Sequence, residues 1–331
     1  MKLKAKAKTI FFAVSGILLT GTLVSYTLID NEPLRTPASI PSNYESMSAC
    51  EKQEVLWSKI QTSVHKDLPD YQKLGLFQII GMAKQEVAIK GKHYSDFAPQ
   101  GWKKFLHRRG AIAKIKITPV SDKYSGIFQG ADCGLLRLSL TYKTEGSRPV
   151  APGLALKLLR DGTFSANISA LVSLDGQGKE FNFFKFPMSN IVPIGEDFGQ
   201  KLVHGIFSKA SKYPEELLLN DMAATNSHGE KSSVTVAPRQ LFFIPGPGLK
   251  FSSADHDVRE DFLSINESTV IYKVYALTQK LHDYNYYYYT SEIASEFLKE
   301  AEHIADITTT SEFLASDFGD DGIFFRHQLR P

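Results

Sequence analysis

Residues 102–193 constrain the fold more than any other part of this chain. They hold runs in which apolar and polar side chains alternate with period two, the spacing of a half-buried strand. Across residues 111–117, Ala113, Ile115 and Ile117 fall on one side and Lys114 and Lys116 on the other. Across 135–142, Leu136, Leu138, Leu140 and Tyr142 share a face, opposed by Arg137, Ser139 and Thr141. Across 164–174, Phe164, Ala166, Ile168, Ala170 and Val172 oppose Ser165, Asn167, Ser169 and Ser173. Residues 154–158 read the same way, with Lys157 out of phase with its leucines. Asp161-Gly162 between two such runs is a tight-hairpin signal. Adjacent antiparallel strands of this kind predict a barrel or a strongly bent sheet.

The rest of the chain reads as anchor, cover and closure. Lys2, Lys4, Lys6 and Lys8 precede residues 9–29, which carry no charge. About 20 apolar residues can cross a bilayer as a helix, and lysines before them keep the amino end in the cytoplasm. An uncleaved transmembrane anchor is the expectation over a cleaved signal, because Tyr26, Thr27, Leu28 and Ile29 close the run without a small-residue cleavage site. Either reading exports the folded part to the periplasmic or extracytoplasmic side. The expected organisation is an anchor or signal over 1–30, a proline-bearing linker over 31–45 and one folded domain over 46–331. A hydrophobic content of 43% suits a packed core. The net charge of +2 gives no basic excess for nucleic acid and no acidic excess for a cation buffer.

Helical periodicity predicts an amphipathic pair over 46–66 and 71–90, lying on the sheet as cover. Further helical stripes follow over 198–207 and 215–222. Residues 232–244 and 268–277 read as strands, the first ended by Pro245-Gly-Pro-Gly248. Residues 291–306 read as a helix, with Ile293, Ala294, Phe297, Leu298, Ala301 and Ile304 on one side. Cys50 and Cys133 are the two cysteines. They could pair in an oxidising compartment, but two cysteines are no disulfide framework, and the plainer reading leaves both reduced with Cys133 in the core. Asn167-Ile-Ser169 and Asn266-Glu-Ser268 match the N-glycosylation pattern, which is used only in a eukaryotic host.

The chain lacks HExxH, CxxC, GxxxxGK and GxSxG, which removes the common zincins, zinc ribbons, NTPases and α/β-hydrolases. Asp317-Phe-Gly319 matches a kinase triplet without its context. Asp317, Asp320 and Asp321 read as a solvated loop rather than a cation site. His107 stands directly before a strand, in His107-Arg-Arg-Gly110. If the strands are neighbours, Ser139 and Asn167 could face one cavity beside it. There an imidazole could shuttle protons near neutrality, the hydroxyl could fix the ring and the carboxamide could orient a polar ligand. The plainer alternative makes His107, Arg108 and Arg109 a solvated basic patch, with Ser139 and Asn167 facing water.

The ordered set His107-x-Arg109-Gly110, Arg137-x-Ser139, Pro152-Gly153-x-Ala155-x-Lys157 and Asn167 before a Phe-rich stretch resembles the haem-dependent catalase superfamily, closer to its short catalase-like members. The likeness covers residues 102–193. It continues weakly from Ala237-Pro-Arg239 to Ala276 and from Phe318-Gly-Asp320 to His327. It implies an α+β fold, an antiparallel β-barrel core with helical additions, and a haem cofactor acting on hydrogen peroxide or an organic hydroperoxide. It makes His107 the distal histidine, Asn167 the distal asparagine and Ser139 the support of the histidine, with Lys104 and Arg137 at cofactor-binding positions. The histidine would take a proton from bound peroxide and return it to the departing oxygen. The chain departs from the pattern in three ways. The arginine three residues before the distal histidine is Lys104. No Arg-x-x-x-Tyr iron-ligand motif occurs, although Tyr272, Tyr275 and residues 284–289 offer phenols. The long arms used for tetramer assembly are absent. The resemblance therefore also admits a non-enzymatic module that has lost haem, or a haem carrier without turnover.

Overall fold

A computed structural model of the chain describes residues 40–60, 62, 81, 85, 96–99, 102, 104, 109–120, 128, 131–140, 152–162, 165–172, 188–190, 240–249, 258–277, 299–317 and 319–325. The expected anchor, the helix over 71–90 apart from residues 81 and 85, the helical stripes over 198–222, the tyrosine-rich run and His107 lie outside these residues. Among the described residues, no helix is long and apolar enough to cross a membrane.

The alternating runs become strands. Among the described residues the strands are β1 (Arg109–Pro119), β2 (Cys133–Leu140), β3 (Pro152–Leu158), β4 (Ala166–Val172), β5 (Met188–Asn190), β6 (Gln240–Pro245), β7 (Val270–Leu277), β8 (Glu302–Thr309) and β9 (Leu314–Ala315). They form one antiparallel nine-stranded sheet, ordered β2-β3-β4-β5-β6-β7-β8-β1-β9. β1 also pairs with β2, and it pairs with β8 and β9 along its other edge. The sheet therefore curls until its ladder returns on itself, which leaves few open edges. The turn between β3 and β4 carries Asp161-Gly162, with Gly162 at φ 55° as the hairpin signal requires.

One face of the curled sheet is an apolar interior. Ala111, Ala113, Ile115 and Ile117 of β1 meet Leu136 and Leu138 of β2, Leu154, Leu156 and Leu158 of β3 and Ile168 of β4. Leu241 and Phe243 of β6, Val274 and Ala276 of β7 and Ile304 and Ile307 of β8 complete it. The opposite face of β1–β3 carries Ile112, Leu135 and Cys133 and is covered by α1 (Ala49–Trp57). Ser48 caps α1 in a capping box: its hydroxyl accepts from the Glu51 amide, and the Glu51 carboxylate accepts from the Ser48 amide at 2.8 Å. Leu56 is fully buried beneath the helix. Gln53 donates to the carbonyls of Ile115 at 2.8 Å and Gly134 at 2.6 Å, and Lys52 donates to the carbonyl of Arg160 at 2.9 Å. A cover helix with so little apolar surface is held by polar side chains that bond strand carbonyls.

Three expectations are corrected. The cysteines are not reduced: Cys50 and Cys133 form a disulfide with Cα atoms 5.1 Å apart, tying α1 to β2. The helix over 291–306 does not reach Asp306, because residues 302–309 are β8, hydrogen-bonded to β7 and β1. Ile304 and Ala301 satisfy a helical stripe, but Ala305, Ile307 and Thr309 also alternate, and two strand neighbours decide the outcome. The predicted helix over 46–66 ends at Trp57. A short helix over Val258–Leu263, here α2, was not anticipated.

Candidate functional site

Ser139 and Asn167 do lie on the same face of the sheet, the one opposite the apolar interior. Ser139 pairs with Gly153, and Gly153 pairs with Leu171. Asn167 pairs instead with Lys157, which faces Leu135. With β3 between them and a four-residue offset along β4, the two side chains stand about 16 Å apart at ordinary strand spacings. Neither one is simply solvated. Ser139 is 3% exposed and sits 3.5 Å from the Gly153 carbonyl, a long contact. Asn167 is half-buried, and its Oδ1 is buried without a hydrogen-bond partner among the described residues.

The start of β1 is built around a close approach. Gly110 pairs with Ser139, and a Cβ on Gly110 would fall 2.6 Å from the Leu138 carbonyl and 3.1 Å from the Arg137 guanidinium carbon. Only glycine leaves that space to the guanidinium. Arg137 in turn donates to Asp320 through Nε and reaches the Ser316 carbonyl at 3.4 Å. Lys104 donates to the other oxygen of Asp320 and lies 3.5 Å from Asp321. Asp320 is fully buried. Burial pushes its carboxyl up, but Arg137 and Lys104 outweigh burial and hold it below the usual carboxylate range. Burial lowers the Lys104 ammonium, as does nearby Arg137. Asp317, also fully buried, pairs with Arg259 of α2. The expected solvated acidic loop is thus a strip of buried ion pairs that fastens the carboxy-terminal segment over β1 and β2.

A second buried cluster lies further along the same face. Lys157 is fully buried and donates to Asp96 at 3.0 Å. Tyr44 donates to the same carboxylate at 2.7 Å, and Ser165 donates to it as well. The Lys157 ammonium also lies 5.6 Å from the centre of the Phe325 ring. Burial raises Asp96, yet Lys157, Ser165 and Tyr44 together keep it below its ordinary value. Burial lowers Lys157 and raises Tyr44. Sequence reading missed Asp96 and Tyr44. The usable signal was Lys157 itself, a lone cation in a run of leucines, which implies a buried counter-charge.

Lys104 and Arg137, expected at cofactor-binding positions, both hold Asp320. Tyr272 lies in the interior cluster, on the other side of the sheet from Ser139, with its ring edge-on to Phe243. Burial raises its phenol, which opposes the phenolate an iron ligand would need. Tyr275 is stacked on His303, with ring centres 5.0 Å apart. No family model, curated protein or solved structure matches the chain.

Proposed function

We propose that this chain is a catalase-like barrel without haem chemistry: an exported, membrane-tethered binding or interaction module. The observation that carries this reading is Asp320. Its carboxylate takes both Lys104 and Arg137, the two cations expected at cofactor-binding positions. The separation of Ser139 from Asn167 supports it further, because general acid–base work needs its groups within hydrogen-bond reach of one substrate. The Cys50–Cys133 disulfide supports export, since such bonds persist in oxidising compartments. The charge-free run over 9–29 supports tethering.

Peroxide chemistry with haem is the second reading. It is favoured by Ser139 facing Gly110, only three residues beyond His107. One experiment separates the two. The full-length chain, purified in detergent, is titrated with haemin, and the visible spectrum and peroxide consumption are recorded. The binding-module reading expects no saturable Soret shift from a chain that keeps its β-sheet circular dichroism. A stoichiometric Soret band with peroxide consumption lost in His107→Ala would overturn it.

A further inference from the structure

We infer that Asn266 is an N-linked glycan acceptor and that the other matching sequence, Asn167-Ile-Ser169, is not used. The inference rests on the export reading above. The two asparagines share a sequence pattern, and the fold treats them oppositely.

Asn266, Glu267 and Ser268 are all exposed, on the turn between α2 and β7. The backbone of that turn is fixed from inside. The Asn266 carbonyl accepts from the Thr269 hydroxyl at 2.8 Å and from the Thr309 hydroxyl at 2.9 Å. The Ser268 amide donates to the Thr309 carbonyl at 2.8 Å. Ser268 stands at φ 61°, in the left-handed region that marks a tight reversal. The pattern therefore sits on a projecting turn whose backbone bonds are already made, which leaves the solvent side to a bulky polar attachment. Asn167 lies within β4, paired with buried Lys157 of β3. Its Oδ1 is buried. An oligosaccharide there would have to displace Lys157 and the covering segments.

In the transfer, the Asn266 amide nitrogen bonds the anomeric carbon of a lipid-linked oligosaccharide. The bond from that carbon to the diphosphate oxygen breaks, the lipid diphosphate leaves with the electron pair, and one amide proton passes to a base of the transferase.

The test is expression of the full-length chain in cultured eukaryotic cells, with peptide mass mapping at both asparagines before and after treatment with a glycan-removing amidase. The expected result is a glycan at Asn266, unmodified Asn167, an amidase-sensitive mobility shift lost in Asn266→Gln and a shift retained in Asn167→Gln. Modification at Asn167, or a shift that survives Asn266→Gln, overturns the inference. So does an absent glycan, and protease protection then identifies the failed premise. A protected, disulfide-bonded chain without glycan leaves export standing. An unprotected chain without glycan removes export as well.

Discussion

Replacing Lys157 by methionine isolates the buried pair that holds the amino-terminal cover to β3. The substitution keeps an unbranched stem of similar volume and deletes the ammonium. Among the described residues, Asp96, 3% exposed, then keeps Tyr44 and Ser165 as donors. Removing one partner of a buried ion pair costs about 3–5 kcal/mol, because the other charge is left uncompensated. Asp96→Asn strands the ammonium and should cost a similar amount. The double variant carries no stranded charge and should lose less than the sum, with a coupling on the order of 2 kcal/mol. Urea unfolding at pH 7, followed by tryptophan fluorescence with the disulfide intact, measures all three. The pH dependence supplies an independent sign. In the native chain Asp96 is held below its unfolded value, so its contribution is present above about pH 3.9 and is lost as pH falls through the folded value. Without Lys157 the largest lowering influence on Asp96 is gone, so its folded value rises, and the stability lost as pH falls below the unfolded value shrinks. A single-variant loss under about 1 kcal/mol, additive losses within about 0.5 kcal/mol, or an acid limb unchanged by the substitution would refute the reasoning.

Reducing the Cys50–Cys133 bridge, which spans a separation of 83 residues, should lower stability by about 4–5 kcal/mol in the chain-entropy description. Comparing urea midpoints with and without reductant measures it, and an unchanged midpoint would contradict the bridge. Asp320→Asn should lower the melting temperature at neutral pH. It should also flatten the acid limb, since the native carboxylate, held low by Arg137 and Lys104, stabilises above the ordinary carboxylate range and loses that as pH falls through its folded value. Gly110→Ala places a methyl 2.6 Å from the Leu138 carbonyl and against the Arg137 guanidinium, and should cost about 1–3 kcal/mol by thermal melting. A neutral result there would mean that the start of β1 relaxes freely.

The strands β1 to β4 could be read from the chain because side-chain alternation is a local property. Each residue's face follows from its neighbours two positions away, and Asp161-Gly162 marks the turn in the same local terms. The helix expected through Asp306 failed where local pattern was ambiguous. Ile304 and Ala301 fit a helical stripe, while the pairing of Lys273 with Asp306 and of Thr118 with Asp306 exists only once distant strands meet. The polar face shows the same division. Arg137, Ser139 and Asn167 were assigned to one face correctly, but register placed Ser139 beside Gly110 and Asn167 beside Lys157. Charge pairing was the least legible. Arg137 and Asp320 are 183 residues apart, and Lys157 and Asp96 are 61 apart. Nothing near Asp320 announces its partners, so it reads as solvated until the curled sheet carries Arg137 beneath it. Local periodicity thus fixed which way the side chains point. Which charges and cysteines meet was left to long-range closure, because desolvation turns an unremarkable aspartate into an obligatory ion pair only after the chain has folded over it.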